Sequence, residues 1–104
     1  MFVIKINPDG QVAYMTFLSS GEPYGIAVDS NGEAYITGNA YSNYPTTPGA
    51  FDTSFNGVGD VFVTKIDPSG QNLAYSTLVG GSYWDIPFNI AIDETGAAYV
   101  PMVR

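Results

Sequence analysis

The sequence contains no cysteine and no histidine, and its only cations are Lys5, Lys65 and Arg104. Without thiols the chain makes no disulfides and no thiolate metal site. Without imidazole, histidine-based zinc sites and histidine acid/base catalysis are excluded within one chain. Ten acids against three bases leave a net charge of −7, so no basic patch exists for a polyanion and nucleic acid is not an expected partner. No apolar run approaches the ~20 residues that cross a bilayer, so membrane insertion is not expected. The opening Met1-Phe2-Val3-Ile4-Lys5 lacks the charged start and long apolar stretch of a secretory signal. What the chain does have is 45% hydrophobic and 14% aromatic residues, enough to build a core, with twelve Gly and seven Pro to punctuate it. Many Tyr and Thr beside those glycines point to an all-β chain, and 104 residues fit one modest domain.

The strongest signal is internal repetition. Phe2-Val3-Ile4-Lys5-Ile6-Asn7-Pro8-Asp9-Gly10-Gln11 recurs as Phe62-Val63-Thr64-Lys65-Ile66-Asp67-Pro68-Ser69-Gly70-Gln71, an offset of 60. After one inserted residue, Ala13-Tyr14-Met15-Thr16 matches Ala74-Tyr75-Ser76-Thr77. Gly25-Ile26-Ala27-Val28-Asp29 then matches Asn89-Ile90-Ala91-Ile92-Asp93, and Gly32, Ala34 and Tyr35 match Gly96, Ala98 and Tyr99. Sixteen identities spread over every segment identify a tandem duplication.

Each unit reads as two hairpins. Residues 2–6 and 12–18 flank Asn7-Pro8-Asp9-Gly10, where Pro presets the turn and Gly takes its left-handed position; 61–66 and 73–79 repeat the pair. The second hairpin is 25–28 and 33–37 around Asp29-Ser30-Asn31-Gly32, repeated as 89–92 and 97–100. No segment carries a capped 3.6-residue apolar stripe, so helices are not expected. Residues 39–59, with Pro45 and Pro48, read as an irregular crossing loop. Phe62 beside Val63, and Ala27 beside Val28, put apolar side chains on both faces of the strands. Such sheets must be covered on either side, and radial stacking of four-stranded antiparallel blades into a β-propeller does this.

These motifs resemble the bacterial SBBP, or beta-propeller, repeat. The resemblance rests on Phe-Val-x-Lys-Ile-(Asn/Asp)-Pro-x-Gly, Ala-Tyr-x-Thr, Ile-Ala-(Val/Ile)-Asp-x-x-Gly-x-Ala-Tyr, and the loop Tyr44-Pro45-Thr46-Thr47-Pro48-Gly49-Ala50-Phe51, whose usual form begins with Phe. Val79-Gly80-Gly81-Ser82 matches the family's Leu-Gly-Gly-Ser, whereas the first copy departs from it with Leu18-Ser19-Ser20-Gly21. The last hairpin has Pro101-Met102 in place of Thr37-Gly38, so its strand is expected to stop early. The resemblance implies a propeller of several blades in a bacterial cell-surface or secreted protein, and it brings no catalytic residues.

On that frame the chain reads as an outer half-blade at 1–23, a complete blade at 24–80 and an inner half-blade at 81–104. Two blades' worth of strands cannot close a ring of 4–8. Each open face leaves about 400 Å² of apolar surface, worth about 10 kcal/mol at ~25 cal/mol/Å². The expected partners are therefore further blades, in the same chain or in a ring of three or four copies.

Several residues are candidates for chemistry. Asp29, Asn31 and Asp93 stand where a calcium loop begins, but the remaining acidic ligand of an EF-hand is missing, so Asx-turn chemistry is the favoured account of them and calcium the lesser one. Tyr41, Tyr44, Tyr83 and Trp84 lie in loops near Asp85, where rings stack on sugars and a carboxylate accepts hydroxyl hydrogen bonds. A glycan or protein is the ligand class this suggests. A hydrolase or lyase would pair Asp85 with Asp60 or Glu22, but no spacing singles out a pair, and Ser82 has no histidine to activate it. Lys5 and Lys65 occupy matching strand positions, which suggests packed stems with the ammonium reaching an acid. The reading is a non-enzymatic propeller module without cofactor, a scaffold or interaction domain, with a carbohydrate-binding propeller as the alternative and a hydrolase or lyase fragment third.

Overall fold

A computed structural model describes residues 1–41, 43–51, 60–80 and 86–103. Among them every regular element is a strand: β1 (Phe2–Ile6), β2 (Val12–Phe17), β3 (Gly21–Val28), β4 (Ala34–Ala40), β5 (Asp60–Ile66), β6 (Leu73–Val79), β7 (Ile86–Pro87), β8 (Ala91–Ile92), β9 (Ala98–Tyr99) and β10 (Met102–Val103). The fold class is all-β, as the periodicity predicts.

Four strands make one antiparallel blade in the order β3-β4-β5-β6. The middle pair runs Ala34 opposite Ile66 through Ala40 opposite Asp60 without a break. β3 is longer than predicted, beginning at Gly21 and running through Pro23, with a bulge between Pro23 and Gly25. A proline is tolerated there because β3 is the edge of the sheet. β4 likewise continues past Thr37 to Ala40. At Gly38 an added Cβ would lie 2.9 Å from the Phe62 ring and 2.0 Å from the Glu22 carbonyl oxygen, so the close crossing of three strands requires glycine.

Both faces of the middle strands β4 and β5 are buried, on different neighbours. One face presents Ala34, Ile36, Phe62, Ile66 and Leu78, packed against Val3, Leu18 and Tyr14 of the β1–β2 hairpin. The other presents Tyr35 and Val63, packed against Ile90, Ile92, Ala98 and Val100 of the β8–β9 hairpin. Adjacent residues in β4 and β5 point to opposite faces, so this double burial explains why Phe62 and Val63 are both apolar.

The repeat extends into three-dimensional detail. A bulge interrupts the register between Lys5 and Ile6 in the first unit and between Lys65 and Ile66 in the second. It keeps Val12 on the same face as Met15 and Phe17. In the last unit Ile86 and Pro87 pair with Val103 and Met102 as Glu22 and Pro23 pair with Asn39 and Gly38. The strand expected to end before Pro101 is thus interrupted and then resumes as β10. Pro101 has no N–H for the ladder, while its carbonyl still accepts the Phe88 N–H at 3.0 Å.

The loop after β4 covers the outer edge of the blade. Thr47 N–H donates to the Ser76 carbonyl at 3.0 Å, and Ser76 N–H donates back to Thr47 Oγ1 at 2.9 Å. The Ser76 hydroxyl donates to the Pro45 carbonyl at 2.8 Å. Edge strand β6 is thereby closed to further pairing along this stretch.

Candidate functional site

Two hairpin turns and one lysine form a cleft with a volume of about 520 Å³. Asp29, Glu33, Tyr35 and Lys65 line it from the complete blade, and Asp93 and Glu94 from the next hairpin. The turns are built alike. Asp29 Oδ1 accepts the backbone N–H groups of Asn31 at 2.9 Å and Glu33 at 3.0 Å, and its Oδ2 accepts the Tyr35 hydroxyl at 2.9 Å. Asp93 repeats this with Thr95 at 2.9 Å, Ala97 at 3.0 Å and the Tyr99 hydroxyl at 2.9 Å. The spacing Asp-x-x-Gly-x-Ala-Tyr thus fixes a closed turn: the tyrosine six residues on reaches back to the carboxylate that orders the loop.

Hydrogen bonds favour the charged carboxylate, and the titration follows. The Thr95 hydroxyl, the Tyr99 hydroxyl and the Ala97 N–H hold Asp93 down to about 2. Asn72 and Ser69 hold Asp67 down to about 2 in the turn between β5 and β6. At Asp29 burial acts upward, but the hydrogen bonds from Glu33, Tyr35 and Asn31 outweigh it and the net shift is downward. For the calcium candidates the consequence is direct. Both aspartates are committed to their own turns, and the described residues bring together no group of three or more acids able to hold a metal.

Lys65 crosses the wall of the cleft. Its Nζ lies 3.3 Å from Glu33 Oε2, 5.2 Å from the centre of the Tyr35 ring and 6.0 Å from that of Tyr75. Burial acts to lower its pKa, but Tyr35 and Glu33 together raise it, so the ammonium is held charged. Lys5 shares the outer half of this arrangement: it faces Tyr14 as Lys65 faces Tyr75. Lys5 is exposed, and among the described residues it forms no ion pair.

The aromatic candidates separate. Tyr44 is 6% exposed, stacked on Phe62 at 4.5 Å between ring centres, with its hydroxyl 2.8 Å from Thr64 Oγ1. It is a core residue with no free face for a sugar, which corrects its assignment as a ligand-stacking ring. The sequence carried that signal: a position that usually holds Phe has no need of a hydroxyl. Tyr41 is half-buried and donates its hydroxyl to Glu22 Oε1, while the exposed Tyr24 donates to Glu22 Oε2 at 3.3 Å. Tyr24 was not singled out by the sequence, although Glu22 and Tyr24 stand two apart on one strand. Tyr83, Trp84, Asp85 and Ser82 lie outside the described residues. Asp60 is fully buried at the start of β5, its carboxyl so close to Gly80 that a Cβ there would approach it to 2.7 Å.

Half of the blade and one of its Asp–Tyr turns fall within a segment that carries a family match. Residues 19–45 match the family model of the SBBP beta-propeller repeat. The SBBP match spans β3, the turn at Asp29, β4 and Tyr44, so it holds the inner hairpin of the blade and the ring that seals its core. No curated protein matches the chain.

Proposed function

We propose that the chain is a non-enzymatic β-propeller module, a scaffold or interaction domain of a bacterial surface or secreted protein. The observation that carries this reading is the use of the complete blade: both faces of its middle strands are taken up by neighbouring hairpins. Among the described residues, and apart from Phe51 in the loop after β4, the large apolar residues left exposed lie on the half-blades and on β3. They include Phe2, Ile4, Ile6, Val12, Met15 and Phe17 on one side and Tyr99 on the other. In the cleft Asp29 and Asp93 close their own turns and Glu33 pairs with Lys65, which supports a structural use of these carboxylates. A tandem fusion of two copies tests the scaffold role, because joining them covers one open end. The fusion is expected to melt higher than the single chain, and equal melting temperatures would reject the reading. Antibody labelling of intact producing cells tests the surface placement, and signal only after lysis would reject it.

Carbohydrate binding is the second reading, favoured by Tyr24 and Tyr41 converging on Glu22. An aromatic face beside a carboxylate suits the apolar side and the hydroxyls of a sugar. Glycan-array binding by the parent that is lost in Tyr41→Ala or Trp84→Ala would support it. Arrays blank for the parent would remove it.

A further inference from the structure

We propose that the Asp67–Pro68 peptide bond is an acid-triggered self-cleavage site, cut by the carboxylate of Asp67 itself. This activity goes beyond the module reading and does not depend on it. Asp67–Pro68 is the one Asp-Pro bond in the sequence, and it stands in the turn between β5 and β6. The nitrogen of a prolyl bond carries no hydrogen, and as a tertiary amide it accepts a proton and leaves more readily in acid than an ordinary peptide nitrogen. An aspartate carboxylate can close a five-membered ring on its own carbonyl carbon. Nucleophile and leaving group therefore meet across one bond.

Three features of the turn favour the reaction. First, the Asp67 carbonyl oxygen accepts the Gly70 N–H at 3.0 Å. That donor is already aimed at the oxygen on which charge develops when the carbonyl carbon is attacked. Second, the carboxylate and the carbonyl are turned into the same loop. Asp67 Oδ1 accepts the Ser69 hydroxyl at 2.7 Å and the Gln71 N–H at 3.2 Å, on either side of Gly70 in sequence, and Oδ2 accepts the Asn72 side-chain amide at 2.9 Å. The nucleophile is thus held over the turn instead of rotating freely. Third, Asn72 and Ser69 hold the carboxyl down to about 2, so it is ionised at an acidity where a free aspartate, titrating near 3.9, is mostly protonated. Among the described residues, Tyr14 of β2 is the titratable side chain that faces it. Burial and Asp67 raise the Tyr14 pKa, so this ring is neutral in acid and supplies no competing charge. Pro68 and Ser69 are exposed, which gives water and hydronium access to the bond.

The step balances with water as the only co-reactant. Hydronium gives a proton to the Pro68 nitrogen, an Asp67 carboxylate oxygen bonds to the Asp67 carbonyl carbon, and the C–N bond breaks with its electron pair going to nitrogen. Residue 67 then ends in a cyclic anhydride, which one water opens to two carboxyl groups. The products are residues 1–67 and residues 68–104, the second starting with a prolyl ammonium. Cutting leaves the strands together, because β5 and β6 stay paired from Val61 opposite Val79 to Ile66 opposite Leu73. The first unit contains its own control. Asn7–Pro8 occupies the matching turn, with the Gly10 N–H on the Asn7 carbonyl at 2.9 Å, but its side chain is an amide.

Intact mass after incubation at about pH 3, below the melting transition, reads the cut. The parent is expected to release the pieces 1–67 and 68–104 in denaturing separation, with several-fold less cleavage at Asn7–Pro8. Asp67→Asn reproduces the side chain that the matching turn already accommodates, and it is expected to lose the cut while keeping the β spectrum of the parent in circular dichroism. The parent unfolded in urea at the same pH separates the turn from the bare chemistry of an Asp-Pro bond. Cleavage several-fold slower in urea supports the turn's part in the reaction. An uncut parent, an Asp67→Asn chain cut at the parent's rate, or cleavage as fast in urea as in the folded chain overturns the proposal.

Discussion

Asp29, Asp67 and Asp93 each order a hairpin turn, and their titration makes those turns acid-sensitive. Asp93 is held near 2 in the folded protein, whereas a free aspartate titrates near 3.9. The unfolded chain therefore takes up the proton first as pH falls. The stabilisation is fully present above about pH 4 and is lost as pH drops through the folded value near 2. Melting temperature is thus expected to fall from pH 5 to pH 2. Asp93→Asn should melt lower than the parent at pH 7 but fall less steeply with acid. A parent curve that is flat from pH 5 to pH 2 would contradict this. Ser19 is a second residue-level feature: it adopts φ 105°, in the region that disfavours a Cβ, at the position where the second copy has Gly80. Ser19→Gly is expected to stabilise by about 1 kcal/mol in urea unfolding, relief of a ~1–2 kcal/mol left-handed penalty being offset in part by greater chain entropy.

Hairpins, not single residues, are the units that dock, and one turn shows how. The Gly70 carbonyl, in the turn between β5 and β6, accepts the Thr16 hydroxyl from β2 at 2.6 Å. A Cβ at Gly70 would lie 2.3 Å from the Tyr14 ring, whereas at Gly10, its counterpart, nothing lies within 4 Å. Both have positive φ, 76° and 87°. Gly10→Ala therefore measures the backbone cost alone, roughly 1–2 kcal/mol. Gly70→Ala adds displacement of Tyr14, so its loss in chemical denaturation is expected to exceed that of Gly10→Ala by about 1–3 kcal/mol. Equal losses would mean that the hairpin is not seated on the blade through this contact. The hairpins themselves were legible because turn chemistry and two-residue alternation are local, and the duplication showed each of them twice. What was not legible depends on contacts distant in sequence. The first ten residues of the crossing loop were read only as a connection, yet they place Tyr44 on Phe62 and tie Thr47 to Ser76. Nor did strand propensity reveal that β3 runs through Pro23, since that depends on β3 being an edge.

At the scale of the molecule, the sequence disclosed blades and their need for cover but not the cleft, which exists only where the turns of two successive units meet at Asp29 and Asp93. That cleft gathers Asp29, Glu33, Asp93 and Glu94 around Lys65, whose Nζ lies 3.3 Å from Glu33 Oε2. Lys65→Met keeps a long apolar stem and removes the cation. The variant is expected to melt lower than the parent at low salt, and by less at ~0.5 M sodium chloride, where repulsion among the remaining carboxylates is screened. An equal loss at both salt concentrations would show that the packing of the stem, and not its charge, holds the two turns together.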